Sequence, residues 1–380
     1  MALTSSSSCL QLVIIVFLLF HQTTEILGCY TSIFSFGDSL ADTGNRVYYD
    51  ADNQCNHLPY GKTFFNQSTG RCSDGRLIID FIAQALGLSF IPPYLGHHNQ
   101  DFKQGVNFAV AGATALDSAS LEKRGIPVDT NYSLEVQLGW FKQLLPSLCD
   151  SPSNCRSMLK NALFFVGIGG NDYNYPLWEG KDTQEIQTLV PEVINDISST
   201  ITTLIDEGAV SLLVAGDLPI GCLPSYLTTF ESTNLDNYDP SGCLKSLNEF
   251  AQFHNHLLQN ELNRLRENHP HTTIIYADYY TVAIDLYRFP KQLGFKGTSG
   301  ALTSCCGGGG IYNYNLSAKC GFGGSTCCDD PSSHVSWDGV HLTEAAYKWV
   351  ATGILERSFM SCISSKQHTV DHSISLVSSL

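Results

Sequence analysis

The chain has 380 residues, 43% of them hydrophobic and 15% charged, with 21 Lys plus Arg against 36 Asp plus Glu and a formal net charge of −15. That is enough apolar material for one large core or two small ones. The negative balance repels phosphate backbones and anionic lipid headgroups, which argues against nucleic acid and acidic membranes as partners.

In chain order, the first feature is Leu12–Phe20, LVIIVFLLF, an apolar run too short to span a bilayer but the length of a signal-peptide core. No Lys or Arg precedes it, a departure from the ideal pattern. Cleavage is expected near Gly28 or Cys29, so residues 1–28 are read as a signal peptide. No other stretch approaches the roughly 20 apolar residues of a transmembrane helix, and stable membrane insertion is not expected. Residence along the secretory route, extracellular or vacuolar, follows from that leader.

Continuous apolar runs then alternate with amphipathic ones. Strands are expected at Ser32–Phe36, Gly105–Ala109, Ala162–Ile168, Val210–Gly216 and Thr273–Asp278, each apolar on both faces as in a covered parallel sheet. Helical stripes lie between them: Ile78, Ile79, Ile82, Ala85 and Leu86; then Leu134, Leu138, Phe141 and Leu145; then Ile194, Ile197, Ile201, Leu204 and Ile205, bounded by Pro191 and Gly208; then Leu247, Phe250, His254, Leu257 and Leu258. Gly294 to Pro331 is a long Gly/Cys-rich stretch, expected to pack as a stapled loop beside the site. Thr343 caps a last helix through about Leu355, burying Ala346, Val350 and Ile354. The Ser-rich tail, residues 357–380, lacks periodicity and reads as disordered or as a sorting segment. Strand–helix alternation without a linker or repeat predicts one α/β domain over residues 29–356, with helices on both faces of the sheet.

The chain holds 14 cysteines, and Cys9 falls in the leader. Cys149 with Cys155 and Cys222 with Cys243 could each close a short loop. Cys305, Cys306, Cys320, Cys327 and Cys328 crowd the Gly-rich stretch, where disulfides and a zinc site are rival readings; an oxidising compartment favours disulfides. No metal is expected, and the pairing within that cluster is not readable from spacing. Acceptor sequons begin at Asn66, Asn131 and Asn315, plausible glycan sites on surface loops.

The chemistry begins where the first strand runs into Gly37-Asp38-Ser39. A serine there would sit at the carboxyl end of a strand, where open α/β sheets bind ligands. Alone, this tripeptide is equally a serine capping a helix. Gly112 alone is a turn glycine, Asn171 alone a loop or cap residue, and Asp338 with His341 alone a polar helix start. Together they supply what ester hydrolysis needs. Ser39 is a nucleophile that requires a base, and the His341 imidazole titrates near neutrality. Asp338, three residues earlier, is placed to orient that imidazole, and Gly112 and Asn171 follow the second and third strands to the same sheet edge.

Phe36-Gly37-Asp38-Ser39 with Asp42-Thr43-Gly44-Asn45 resembles the first sequence block of the plant GDSL esterase/lipase family, part of the SGNH hydrolases. Asn107 to Ala113 resembles the second block, Gly169-Gly170-Asn171-Asp172 the third and Asp338-Gly339-Val340-His341 the last, in the family's order. Gly70 to Arg76 and Pro219 to Pro224 also fit, so the likeness spans roughly Ser32 to Leu355. It implies a three-layer α/β/α flavodoxin-like fold with a parallel sheet of about five strands. The implied activity is a secreted serine esterase, monomeric and without a cofactor, acting on a small-molecule ester. Ser39, Asp338 and His341 would be catalytic, and Gly112 and Asn171, with the Ser39 amide, would bind the oxyanion. Asp42 and Asp172 would hold loops through backbone amides.

Tyr60 to Leu88 looks most like the acetylajmalan esterase and sinapine esterase-like subgroup. That likeness implies an acetyl ester of a specialised metabolite, such as an acetylated indole alkaloid. A broad acylester or lipid esterase, a Ser39-dependent acyltransferase and a catalytically silent binding protein are the rival readings. Of the other histidines, His254 reads as a satisfied, half-buried core residue, and His97 and His98 as solvated. Gly307–Gly310 is not followed by the Lys-Ser/Thr of a phosphate loop.

Overall fold

The computed structural model describes residues 29–96 and 102–358. The leader, His97, His98 and the chain from residue 359 onward lie outside the described residues. Five strands, β1 (Ser32–Gly37), β2 (Gly105–Asn107), β3 (Ala162–Gly167), β4 (Ser211–Ala215) and β5 (Thr273–Ala277), form one all-parallel sheet in the order β2-β1-β3-β4-β5. All of β1 is buried, Ser32 and Ser35 included, as a strand covered on both faces of a parallel sheet must be. Phe34, Phe36, Phe108, Phe141 and Phe164 pack on it edge-to-face or offset, with ring centroids 5.1 to 6.1 Å apart.

Seven helices matter for the site: α1 (Ile78–Leu86), α2 (Leu134–Leu144), α3 (Gly170–Trp178), α4 (Val190–Glu207), α5 (Lys245–Asn268), α6 (Tyr279–Arg288) and α7 (Glu344–Ser358). Helix α7 packs on α1 and α6; α4 packs on α2 and α5. With the sheet between these groups the architecture is a three-layer α/β/α sandwich. The sequence placed the long helices where they occur, with Pro191 in the first turn of α4, Gly208 as its C-cap, and Thr343 Oγ1 accepting the Ala346 amide at 3.2 Å before α7. Helix α7 runs to Ser358, beyond the boundary expected at Glu356.

Strand β2 is shorter than its apolar run. The ladder stops at Asn107, because the Gly37 amide that would next pair with the Phe108 carbonyl is taken by Gln137 Oε1 at 2.9 Å, while the Asn45 side-chain amide holds the outward-facing carbonyls of Asn107 and Ala109, both at 2.8 Å. The chain then curls over the end of β1, with Phe108 N donating to Ser35 O at 2.7 Å and Val110 N to Gly37 O at 3.0 Å. Because the strand order reverses between β1 and β3, a crevice opens at their carboxyl ends.

Disulfides join Cys149 to Cys155 and Cys222 to Cys243, the loops that spacing suggested. Cys55–Cys72, Cys305–Cys328 and Cys306–Cys320 were not readable in advance. Four of the five clustered cysteines are thus disulfide-bonded, and Cys327 is the free one. Cys29 is disulfide-bonded as well. The Gly/Cys-rich stretch carries a short antiparallel pair, β6 (Cys306–Gly307) with β7 (Thr326–Cys327). No described helix is long and apolar enough to cross a membrane.

Candidate active site

Ser39 follows β1 by way of a turn that only glycine allows. A Cβ on Gly37 would lie 2.4 Å from the Gly167 carbonyl oxygen, so β1 and β3 could not approach as they do. Gln137, on α2, holds the Gly37 peptide from both sides: its Oε1 accepts the Gly37 amide at 2.9 Å and its Nε2 donates to the Gly37 carbonyl at 2.8 Å. Past the turn, the Asp38 carbonyl accepts the amides of Ala41 and Asp42 at 3.0 and 2.9 Å, and Asp38 Oδ1 accepts that of Leu40 at 3.0 Å. Ser39 is left pointing into the crevice.

The Ser39 hydroxyl lies 2.8 Å from His341 Nε2, and His341 Nδ1 lies 2.7 Å from Asp338 Oδ2. Three hundred residues of sequence separate the serine from its imidazole, and the loop before α7 brings them together. That loop is built to hold one geometry. Asp338 Oδ1 accepts the amides of Val340 and His341 at 3.0 and 2.8 Å, and the His341 carbonyl accepts the Trp337 amide at 2.8 Å. Tyr60, fully buried and edge-on to Trp337, donates its hydroxyl to Asp338 Oδ2 at 2.8 Å, and Gln54 Nε2 adds a longer contact at 3.4 Å.

Burial alone would pull the His341 imidazole down, but the Asp338 charge, its hydrogen bond and the Asp38 charge outweigh it and hold it above the ordinary imidazole value. For Asp338, burial pushes up, and the His341 charge together with three hydrogen bonds pulls the carboxyl below its usual range. The pair therefore has an ionised carboxylate against a base of raised affinity for a proton.

Gly112 and Asn171 face the same crevice from the ends of β2 and β3. Gly112 has φ +87, and its carbonyl is fixed by the Tyr175 hydroxyl at 2.6 Å. The Asn171 side-chain amide donates to the Ala113 carbonyl at 3.0 Å, while its Oδ1 accepts Asn174 Nδ2 at 3.1 Å. Its orientation is thereby set, with one of two N–H bonds left for the crevice. Among the described residues the amides of Ser39 and Gly112 donate to no backbone or side-chain acceptor. Two buried carboxylates tie these loops together. Asp42 accepts the amides of Gly44, Asn45, Arg46 and Ala111 at 2.6 to 3.0 Å. Asp172 accepts those of Ala115 and Leu116 at 2.8 and 3.0 Å, and burial pushes it up to about 7. They hold loops through amides, as the sequence suggested.

His254 is buried rather than half-buried. Its Nδ1 lies 2.8 Å from the Tyr173 hydroxyl, because α5 packs its stripe beneath α3, and burial drives the imidazole down to about 4. It is a neutral packing group outside the crevice. Asn66, Asn131 and Asn315 are exposed.

Two spaces open on the Ser39–His341 contact, and Ser39, Asn171, Val340 and His341 line both. A wide groove of about 680 Å³ runs past Gly112, Tyr175, Trp178, Tyr314 and Phe322. A cavity of about 60 Å³ lies on the other side, against the ends of β3 and β4. Sequence reasoning missed Tyr60, Gln54, Gln137 and Tyr175. Only for Tyr60 was there a signal, the resemblance of the segment that starts there.

The GDSL-like Lipase/Acylhydrolase family model matches residues 33–354. A GDSL esterase/lipase of Arabidopsis thaliana is 55% identical over 331 residues, 86% of this chain and 84% of that protein. A second from the same plant is 50% identical over 366 residues, 93% of each. A sinapine esterase of Brassica napus is 50% identical over 363 residues, 92% of this chain and 93% of that protein. Phospholipase A1 from Streptomyces albidoflavus NA297 aligns with a TM-score of 0.40 at 12% identity, over 86% of this chain and 99% of that one. A matched span that runs from β1 to α7 takes in every group in the crevice, and the chain belongs to the GDSL-like lipase/acylhydrolase family as a carboxylic ester hydrolase.

Proposed function

We propose that Ser39 is the nucleophile of a two-step ester hydrolysis, with His341 as general base and acid and Asp338 as its orienting carboxylate. The single observation that carries this reading is the unbroken chain from Ser39 Oγ to His341 Nε2, 2.8 Å, and from His341 Nδ1 to Asp338 Oδ2, 2.7 Å. Ser39 Oγ bonds to the ester carbonyl carbon as His341 takes its proton. The C–O bond to the alcohol breaks, and His341 returns the proton to the departing oxygen. Water then repeats the sequence and releases the acid. The Ser39 and Gly112 amides and the Asn171 side chain donate to the oxyanion in both steps. Asp338 stays ionised throughout and stabilises the imidazolium.

The substrate is read as an ester of a plant specialised metabolite, most narrowly the acetyl ester of an indole alkaloid. Support comes from the Tyr60 to Leu88 likeness and from a relative named for sinapine hydrolysis. The protein is read as a secreted monomer glycosylated at Asn66, Asn131 and Asn315; all three side chains are exposed and seven described cysteines beyond the Gly/Cys-rich stretch, Cys29 included, are disulfide-bonded.

Wild type and Ser39→Ala, compared on p-nitrophenyl esters and an acetylated indole alkaloid with products quantified by mass spectrometry, test both levels. Wild-type turnover falling by about 10⁵ or more in the variant is expected. Equal turnover by the two proteins removes Ser39 from the mechanism, and a wild type that ignores the alkaloid while cleaving other esters removes the narrow substrate.

A further inference from the structure

Resting on Ser39 as the nucleophile, we propose that the cavity beside the Ser39–His341 contact is the acyl-binding site and that it selects acyl groups of about two to four carbons, while the wide groove takes the alcohol. Both spaces open on Ser39 and His341, so an ester placed at Ser39 extends one half into each. They differ in size by an order of magnitude. The cavity, about 60 Å³, has room for roughly four to six water-sized groups, which suits a short acyl chain and excludes an aromatic or fatty one.

Its walls cannot easily retreat. Phe165 belongs to β3 and Ala215 to β4, both held in the parallel ladder. Leu218, Ile220 and Leu223 come from the turn that follows β4, which the Cys222–Cys243 disulfide closes. Gly216, behind the cavity, is backed so closely that a Cβ there would lie 2.3 Å from the Tyr276 hydroxyl. No slack is stored in this region for a larger group.

The same lining carries two polar atoms, Asp217 Oδ2 and the hydroxyl of Tyr279, buried and without a hydrogen-bond partner among the described residues. Burial, reinforced by the Asp38 charge, pushes Asp217 up to about 7, and burial pushes Asp38, also in the lining, up to about 6. Near neutral pH Asp217 is therefore partly protonated, which lowers the cost of an acyl group against it, whereas Asp38 is ionised where His341 is neutral.

The test is covalent labelling of the full glycosylated chain by p-nitrophenyl alkylphosphonates with methyl, propyl and octyl groups. Labelling rates are measured and the labelled residue is mapped by peptide mass spectrometry. Labelling of Ser39 about 100-fold faster with methyl than with octyl is expected. Leu223→Ala, checked for folding by its thermal melt, is expected to narrow that ratio about tenfold by lengthening the cavity. Ser39 labelled as fast or faster by octyl overturns the acyl site and leaves the nucleophile standing. Absence of label on Ser39 with every reagent overturns the nucleophile and the acyl site together. A ratio unmoved in folded Leu223→Ala removes this cavity from acyl selection.

Discussion

The two halves of the crevice are held by different physics. Ser39, Gly112 and Asn171 stand on the ends of β1, β2 and β3, where the parallel ladder and amide-binding side chains fix the backbone. Asp338 and His341 stand on a loop with no sheet beneath it. It rests on a small buried cluster of Tyr60, Trp337, Ala111 and the Cys55–Cys72, Cys305 and Cys306–Cys320 sulfurs. A parallel sheet needs no covalent help to position a nucleophile. A base delivered by a loop needs staples and a buried phenol to reach comparable precision. Changes at the sheet edge should therefore act on chemistry alone, and changes in the stapled half on chemistry and stability together.

The largest effect that probes this contrast is expected from Asp338→Asn. Loss of the charge that outweighs burial at His341 should lower kcat by about 10⁴. The base must be neutral to act, so wild-type kcat/KM should fall on acidification with a midpoint above the ordinary imidazole value, and the variant's midpoint should move to lower pH. A pH–rate profile of both proteins checks the sign. At the sheet edge, Asn171→Ala should cost about 10²–10³ in kcat, with KM little changed and thermal stability near wild type. A drop in KM alone would remove it from the oxyanion site.

Replacing the Cys306–Cys320 pair by alanines should reverse that pattern. The disulfide closes a segment against Trp337, and its loss should cost about 2–5 kcal/mol of stability, read by thermal melting, with activity lost at temperatures that leave the Asn171 variant folded. The smallest change is Tyr60→Phe, which keeps the ring against Trp337 and removes one hydrogen bond from Asp338. A roughly tenfold loss of kcat is expected, with KM unchanged and the acidic midpoint of kcat/KM displaced; an unmoved profile would make Tyr60 a packing residue only.

The contrast also explains what could be read before the fold was seen. Strands β1, β3, β4 and β5 and the long helices are written in local apolar periods, and the residues at strand ends sit within a few positions of those periods. Ser39, Gly112, Asn171, Asp338 and His341 could be singled out as candidates because each lies in a recognisable short block, and the fold brings them to one crevice. Tyr60 is 278 residues from Asp338, and Gln137 is 100 from Gly37, so neither contact leaves a local trace. The end of β2 was misjudged because a side chain from elsewhere, Gln137, takes the Gly37 amide that the next rung of the ladder would have used. Asp217 and Tyr279 gave no signal either, since an unpaired polar atom exists only once packing has closed around it.

The most direct test of the central claim is an acid quench of the wild-type protein during turnover of an acetyl ester, followed by peptide mapping of the bound acyl group. An acetyl group on Ser39, absent when Ser39→Ala is treated identically, is the expected result. A protein that turns the ester over while its mapped acyl group lies on another side chain, or on none at any quench time, would contradict the account.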